Sequence, residues 1–335
     1  MSTKLPPDLL RKLILSRTGA KLDSVLVGPM IGEDAAIIDL GDKVLVVHGD
    51  PITAAVENIG WLAVNVASND IAVRGAEPRW LLVIMFLPEG TSDDVIDRIT
   101  KQLDEAAKEL GIAIIGGHTE YTVGIDRPII AATCFGIAGK NEYVTTSGAR
   151  VGDCILMTKG AGIEGTSILA SDFRDELIRL GVGEDVISRA LEFSREISVV
   201  REAIALARVG ASSMHDPTEG GVLCGLLEMA YASGKRFVVY EEKILVRPET
   251  RAICSALKVD PLKLISSGTL LATIPENKVD AAVEVLEELD VSYGLIGRVE
   301  EGEGVVVVKR DGRKVMFREP YIIDELREVW RRFRE

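Results

Sequence analysis

The sequence predicts an α+β fold in two domains, residues 1–150 and 151–335, on three observations. A chain of 335 residues exceeds what one core usually organises, since domains typically run to ~150 residues. Up to Gly139 the apolar patterning switches between period two and period 3.6 in the order ββαβαββ, which requires a mixed sheet rather than a repeating βαβ array. Around "SGARVGD" (147–153) the pattern then starts afresh.

The elements follow in order. "PDLLRKLILSR" (7–17) reads as a short helix, and "AAIIDLGDKVLVVHGD" (35–50) as two strands turning at Gly41-Asp42. A helix is expected from about Glu57 to Val73, then the strand "RWLLVIMFL" (79–87). The next helix opens at "TSDD", where Thr91 or Ser92 can cap and Asp93 and Asp94 suit the dipole, and closes at Gly111. "IAIIGG" (112–117) and "PIIAATCFGIAG" (128–139) complete the first sheet. The second half opens with the strand "CILMTKG" (154–160), followed by helices across 165–209 and shorter elements beyond.

Charge narrows the function. Against 39 basic residues stand 52 acidic ones, and a net charge of -13 repels phosphate backbones and anionic lipid, which sets nucleic acid and membrane aside as partners. A phosphate-bearing ligand would need a metal ion or clustered backbone N–H groups. Cys134, Cys154, Cys224 and Cys254 form no C-x-x-C pair, so neither a zinc site nor a disulfide framework is indicated, and a reducing cytoplasm fits. "MSTKLPPDLL" has no leader core, and runs such as "WLLVIMFL" are too short to span a bilayer. A single glutamine and abundant Glu, Lys, Arg, Val and Ile point to a thermophile source.

Four stretches can carry chemistry. In "GEDAA", Asp34 enters the first strand of the hairpin nearly opposite Asp50, roughly 5–8 Å away by cross-strand geometry. Two such carboxylates make either a solvated hairpin end or a cation site. In "WLAVNVASNDIAVRGAEP", Asn65 and Asn69 share a helix face, and Asp70 lies one turn before the helix end. An anion there opposes the macrodipole, which favours the cation reading, and hard oxygen ligands suit Mg²⁺.

"IIGGHTEYT" carries Gly116 and Gly117, whose backbone N–H groups could turn toward a ligand or form a plain turn; His118 beside them is a ligand, an acid/base group or merely hydrogen-bonded. "KGAGIEGTS" (159–167) fits G-x-G-x-x-G, but helices fill the chain where a Rossmann unit needs its second strand, so Gly160 and Gly162 remain only as phosphate contacts. "MHDPTEGG" offers Asp216 as N-cap, Pro217 at N1 and Glu219 at N3. Capping leaves Gly220 and Gly221 unexplained, since they weaken a first turn while baring its N–H groups for an anion.

Taken in order, "GEDAA", "SNDIAVRGAEP", "GGHTE", "HDPTEGG" and "ISSGTLL" resemble the PurM/HypE superfamily of ATP-binding enzymes over nearly the whole chain. The superfamily includes aminoimidazole ribonucleotide synthetase, HypE, selenophosphate synthetase and thiamine-monophosphate kinase. "KLPPDLLRKLILSR" and "KGAGIEGTSILA" look most like its HypE-related AIR synthase-related members.

The resemblance implies an N-terminal sheet that closes into a barrel across a homodimer, a C-terminal α/β sandwich, and ATP with Mg²⁺ along the dimer groove. It implies phosphorylation of an oxygen, commonly of the amide type. Asp34, Asp50 and Asp70 match the metal carboxylates, Asn69 their polar neighbour, and Gly116, Gly117 and Thr119 the phosphate-contacting loop. Asp70, His118 and Asp216 are the candidate catalytic residues, and Gly160, Gly162, Gly220 and Gly221 join the nucleotide contacts.

Two departures from HypE stand out. HypE ends in a cysteine that carries the carbamoyl group, whereas this chain ends Arg332-Phe333-Arg334-Glu335. Where HypE reads Asn-Glu-Gly, this chain reads Ser266-Ser267-Gly268. The leading expectation is therefore phosphoryl transfer to a free small molecule. Beside it stand HypE chemistry on a partner's thiol, with hydrogenase-maturation partners, and a nucleotide-binding regulator without turnover. The last helix, with Ile322, Leu326, Val329 and Trp330 on one face, is expected to dock, leaving Arg331, Arg332 and Arg334 solvated.

Overall fold

The computed structural model describes residues 4–53 and 57–334. At the start, α1 (Pro7–Leu9) runs on as a π-helical stretch, Leu10–Leu15. Three strands follow, β1 (Val25–Val27), β2 (Ala36–Asp39) and β3 (Lys43–Ile52), then α2 (Ile59–Ala72), β4 (Glu77–Pro88), α3 (Asp93–Leu110), β5 (Ala113–Thr122) and β6 (Ile129–Gly139). They form one sheet in the order β1-β2-β3-β6-β4-β5, in which only β4 and β5 run parallel. The β2–β3 hairpin pairs Asp39 with Val44, and its tight turn is held by Gly41, at φ 100°, whose N–H donates to Asp39 Oδ1 at 2.8 Å.

One face of this sheet is a core. Val44, Val46, Ile130, Ala132 and Cys134, alternate residues of β3 and β6, pack with Ile59, Ala63, Val64, Ala67 and Ile71 of α2 and with Ile99 and Leu103 of α3. The other face, with Leu45, Val47 and Phe135, is only half-buried, and β5 is exposed along nearly its whole length. Ser92 takes the N-cap position of α3 without a side-chain bond, and the neighbouring Thr91 hydroxyl donates to the Pro88 carbonyl at 2.7 Å instead of capping.

"GGHTE" corrects the expectation of a turn. Gly116, Gly117, His118 and Thr119 lie inside β5, paired with Leu82, Val83, Ile84 and Met85 of β4. The glycines serve close packing, since a Cβ on Gly117 (φ 150°) would sit 1.7 Å from the Val83 carbonyl oxygen. They let β5 pass β4 where the register shifts at Leu81/Leu82.

The second half begins with β7 (Cys154–Thr158), α4 (Ile163–Asp172), α5 (Arg174–Arg179), α6 (Glu184–Leu191) and α7 (Val200–Val209). The helices rule out a Rossmann unit, which would need a parallel strand here. Next come β8 (Ser213–His215), α8 (Gly221–Ser233), β9 (Arg236–Tyr240), α9 (Pro248–Leu257), β10 (Leu271–Ile274), α10 (Val279–Glu288), β11 (Tyr293–Glu300), β12 (Gly304–Val308), β13 (Lys314–Phe317) and α11 (Glu325–Arg334). The seven strands order as β13-β12-β9-β11-β7-β10-β8.

Both faces of this sheet are covered. Ile155 and Met157 of β7 pack with Val222, Leu226 and Met229 of α8, while Leu156 between them packs with Leu206 of α7 and Leu286 of α10. That is why "CILMT" is continuously apolar. As expected, α11 docks, with Leu326 and Val329 buried, Trp330 edge-on against Phe173 at 5.6 Å between centroids, and Arg331 and Arg332 exposed. Ile322, however, lies before the helix and packs against the core around α8 instead of sharing its face. The side chain of Arg334, and Glu335, lie outside the described residues. No helix of the described residues is long and apolar enough to cross a membrane.

Candidate active site

Three carboxylates converge where the two sheets meet. Asp34 precedes β2, Asp70 is on the last turn of α2, and Asp216 follows β8. One oxygen from each lies within 4.8 Å of the others. They open on a cavity of about 400 Å³, which Asp50, His48, Glu219, Glu228 and Asp324 also line and which Lys4, Leu5, Pro7 and Leu10 of the N-terminal segment flank.

Arg74, just past α2, sets the geometry. Its guanidinium is fully buried and donates to Glu33 Oε2 at 2.8 Å, Asp34 Oδ2 at 2.7 Å, Thr146 Oγ1 at 2.8 Å and the Met214 carbonyl at 2.7 Å. One side chain thus ties the first sheet to the second and holds Asp34 in place. Glu33 in turn accepts the N–H groups of Thr146 and Ser147. Buried His215 lies between two carboxylates, with Nδ1 2.7 Å from Asp34 Oδ1 and Nε2 3.0 Å from Glu228 Oε2, and Lys4 Nζ reaches Glu228 Oε1 at 3.3 Å.

Electrostatics separates the three carboxylates. At Asp34 burial is outweighed by His215 and Arg74, which hold its carboxyl below the usual range. For His215 burial is likewise outweighed, by Asp34 and Glu228, and its value rises to about 10, so the imidazole is a fixed cation at neutral pH. Burial and the charge of Asp34 push Asp216 well above the ordinary value, and burial with Asp216, Asp50 and Asp34 does the same to Asp70. Asp50 rises to about 6 through burial and Glu219.

Both oxygens of Asp216 are buried without a hydrogen-bond partner. An orphaned buried carboxylate beside two more, all hard oxygen donors, is a donor set that fits Mg²⁺. Asp34, Asp70 and Asp216 are the residues that would hold it.

The residues match the N-terminal domain of AIR synthase related protein over 32–138 and its C-terminal domain over 150–310. The chain belongs to the AIR synthase-related, PurM/HypE superfamily. A protein of Methanocaldococcus jannaschii named as a hydrogenase expression/formation protein is 30% identical over 327 residues, 93% of each chain. Carbamoyl dehydratase HypE of Escherichia coli K12 is 28% identical over 82% of each chain. A crystal structure of hydrogenase maturation protein HypE in complex with ATP superposes with a TM-score of 0.73, at 27% identity over 96% of each chain. The α+β, two-domain PurM/HypE-like fold expected from the motifs is the fold observed.

Within this AIR synthase-related chain the expected site residues fall into distinct places. Asp34, Asp70 and Asp216 come together, whereas Asp50, the third metal carboxylate of the sequence reading, lines the same cavity outside the cluster. Asp216 is not an N-cap: α8 begins at Gly221, and left-handed Gly220 (φ 80°) stands at its cap. Asn69 donates to the Ile197 carbonyl and accepts the Val199 N–H, so its amide clamps the start of α7 instead of facing the cavity.

The glycine loops are internally bonded. Gly162 N–H donates to Ser266 Oγ, Gly160 N–H to the Thr158 carbonyl, Gly220 N–H to Asp324 Oδ2 and Gly221 N–H to the Thr218 carbonyl. Gly116, Gly117, His118 and Thr119 lie on the exposed edge strand away from the cavity, where His118 Nε2 is 3.1 Å from Glu120 Oε2. Sequence reasoning gave no role to Arg74, His215 or Glu228. The first two stand inside quoted motifs, in "AVRGAEP" and "HDPTEGG", and that was the available signal.

Proposed function

We propose that this chain is an ATP- and Mg²⁺-dependent enzyme of the PurM/HypE type that phosphorylates an oxygen of a small-molecule acceptor and so activates it. The observation that carries the reading is Asp216, with both oxygens buried and unpartnered beside Asp34 and Asp70. When bound, MgATP supplies the phosphoryl group and the counter-charge for its oxygens. The protein's part is positioning. Arg74 and His215 fix Asp34, and Glu228 anchors His215 from α8.

Docked α11 and the Ser267 hydroxyl favour a free acceptor over one carried on this chain's tail. The names of the relatives favour a second reading, carbamoyl dehydration in hydrogenase maturation on a partner's thiol, with maturation proteins as partners. ATP consumption by the pure protein with Mg²⁺ tests both. It should rise on adding a metabolite extract under the first reading, and on adding a thiocarbamoyl-bearing partner under the second. Binding without consumption under either condition would leave a nucleotide-binding regulator. Four free cysteines suit the cytoplasm.

We place the homodimer interface on the first sheet. "AAIIDL" and "KVLVVHG" already share a six-stranded sheet, so half their apolarity is accounted for by α2. What remains unpartnered is the opposite face and the β5 edge, with Trp80, Ile84, Ile114, Ile115 and Tyr121 exposed. Light scattering at micromolar concentration should give twice the chain mass, and a monomer there would contradict the interface.

A further inference from the structure

We infer that a second cavity, between the domains and beside Glu164, binds a small organic cation, the acceptor of the proposed reaction. It measures about 990 Å³, enough for a metabolite, and is lined from α3, α4, α11 and the residues around Trp61 and Arg195. Six of its lining residues are carboxylates, against Arg127 and Arg195. Such a wall disfavours phosphate and favours positive charge.

A metal ion is not what it fits. Among the described residues, three carboxylates converge within ligand distance only at Asp34, Asp70 and Asp216, so the acids of this groove are spread over an extended surface.

Glu164 is the second observation. It is 7% exposed, lines the groove, and its Oε2 has no hydrogen-bond partner. An orphaned acceptor of this kind calls for a donor from a ligand. Burial raises its carboxyl to about 7, opposed by a side-chain hydrogen bond with Ser267 and helped by Glu219, Asp324 and Asp50. Those last three line the metal cavity, so the charge of that cavity is felt at Glu164.

Two aromatic rings complete the wall. Trp61 is fixed by donation from Nε1 to the Ser194 carbonyl at 3.0 Å, and Trp330 by its edge contact with Phe173. Preorganised indoles beside carboxylates are what a cation's face and charge require.

This inference rests on the phosphoryl-transfer reading, so its test measures the two chambers separately. Choline and its neutral isostere 3,3-dimethylbutan-1-ol would each be titrated into the full chain by calorimetry, alongside MgATP. Choline should bind at least roughly tenfold more tightly than the alcohol. Glu164→Gln and, independently, Trp61→Leu should each weaken choline by about tenfold while leaving the MgATP isotherm unchanged. No choline binding, equal binding of the alcohol, or unchanged choline affinity in two variants that still bind MgATP would overturn the site. Choline binding with this pattern but no MgATP binding would leave the cation site standing and sink the phosphoryl-transfer reading instead.

Discussion

Replacing Arg74 by Met should destabilise the protein by on the order of 3–5 kcal/mol, read as a shift of the denaturant midpoint. Arg74 is fully buried between Glu33 and Asp34 and also donates to Thr146 and Met214. Methionine fills much of the volume but leaves both carboxylates facing the space of the lost cation. Asp34 keeps His215, while the remaining partners of Glu33 are the backbone N–H groups of Thr146 and Ser147. Arg74→Lys should recover only part of the loss, because one ammonium cannot reach four acceptors spread over two domains. A midpoint within about 0.5 kcal/mol of the parent, the range of ordinary surface substitutions, would show that Arg74 is not the tie between the sheets.

Asp216→Asn should separate stability from binding. The folded-state pKa of Asp216 is raised, so its contribution to stability is fully present below the unfolded value and is lost as pH rises through the folded one. Asp70 behaves alike. The metal-free parent should therefore lose thermal stability as pH rises from about 4 to 8, and Asp216→Asn should be the more stable protein at the alkaline end, with the difference closing toward about pH 4. Mg²⁺ should stabilise the parent most where the carboxylates are ionised and do little for the variant. A parent no less stable than the variant at about pH 8 would mean that the three acids do not repel one another there.

Much of the fold was legible because patterning and packing agree. The alternating burial of β6 follows from one covered face, and the unbroken apolar run of β7 from two. Asp34 could be picked out because a second carboxylate, Asp50, is expected opposite it across the hairpin, and Asp70 because an anion at the negative end of α2 opposes the helix dipole.

The place of Asp216 in the carboxylate cluster, by contrast, was hidden because the residue fits its local sequence too well. "DPTE" satisfies every local rule for a helix start, so nothing local reports that the helix waits for left-handed Gly220 and begins at Gly221. The two glycines that capping could not explain were the trace of it. Likewise "GGHTE" reads as a turn, because the need for glycine lies in β4, at the Val83 carbonyl more than thirty residues earlier. His215 and Glu228 are 13 residues apart on a strand and a helix, and Arg74 finds Glu33 and Asp34 about forty residues upstream. No local period records such pairs. Each pair lies within one half of the chain and exists only once that half has folded.

The central claim is that Asp34, Asp70 and Asp216 together hold the metal of a metal–nucleotide complex, and calorimetric titration of ATP into parent and Asp216→Asn, each with and without Mg²⁺, tests it most directly. The account predicts Mg²⁺-dependent binding to the parent and a loss of roughly a hundredfold or more in the variant. Equal affinity in the two proteins, or binding indifferent to Mg²⁺, would contradict it.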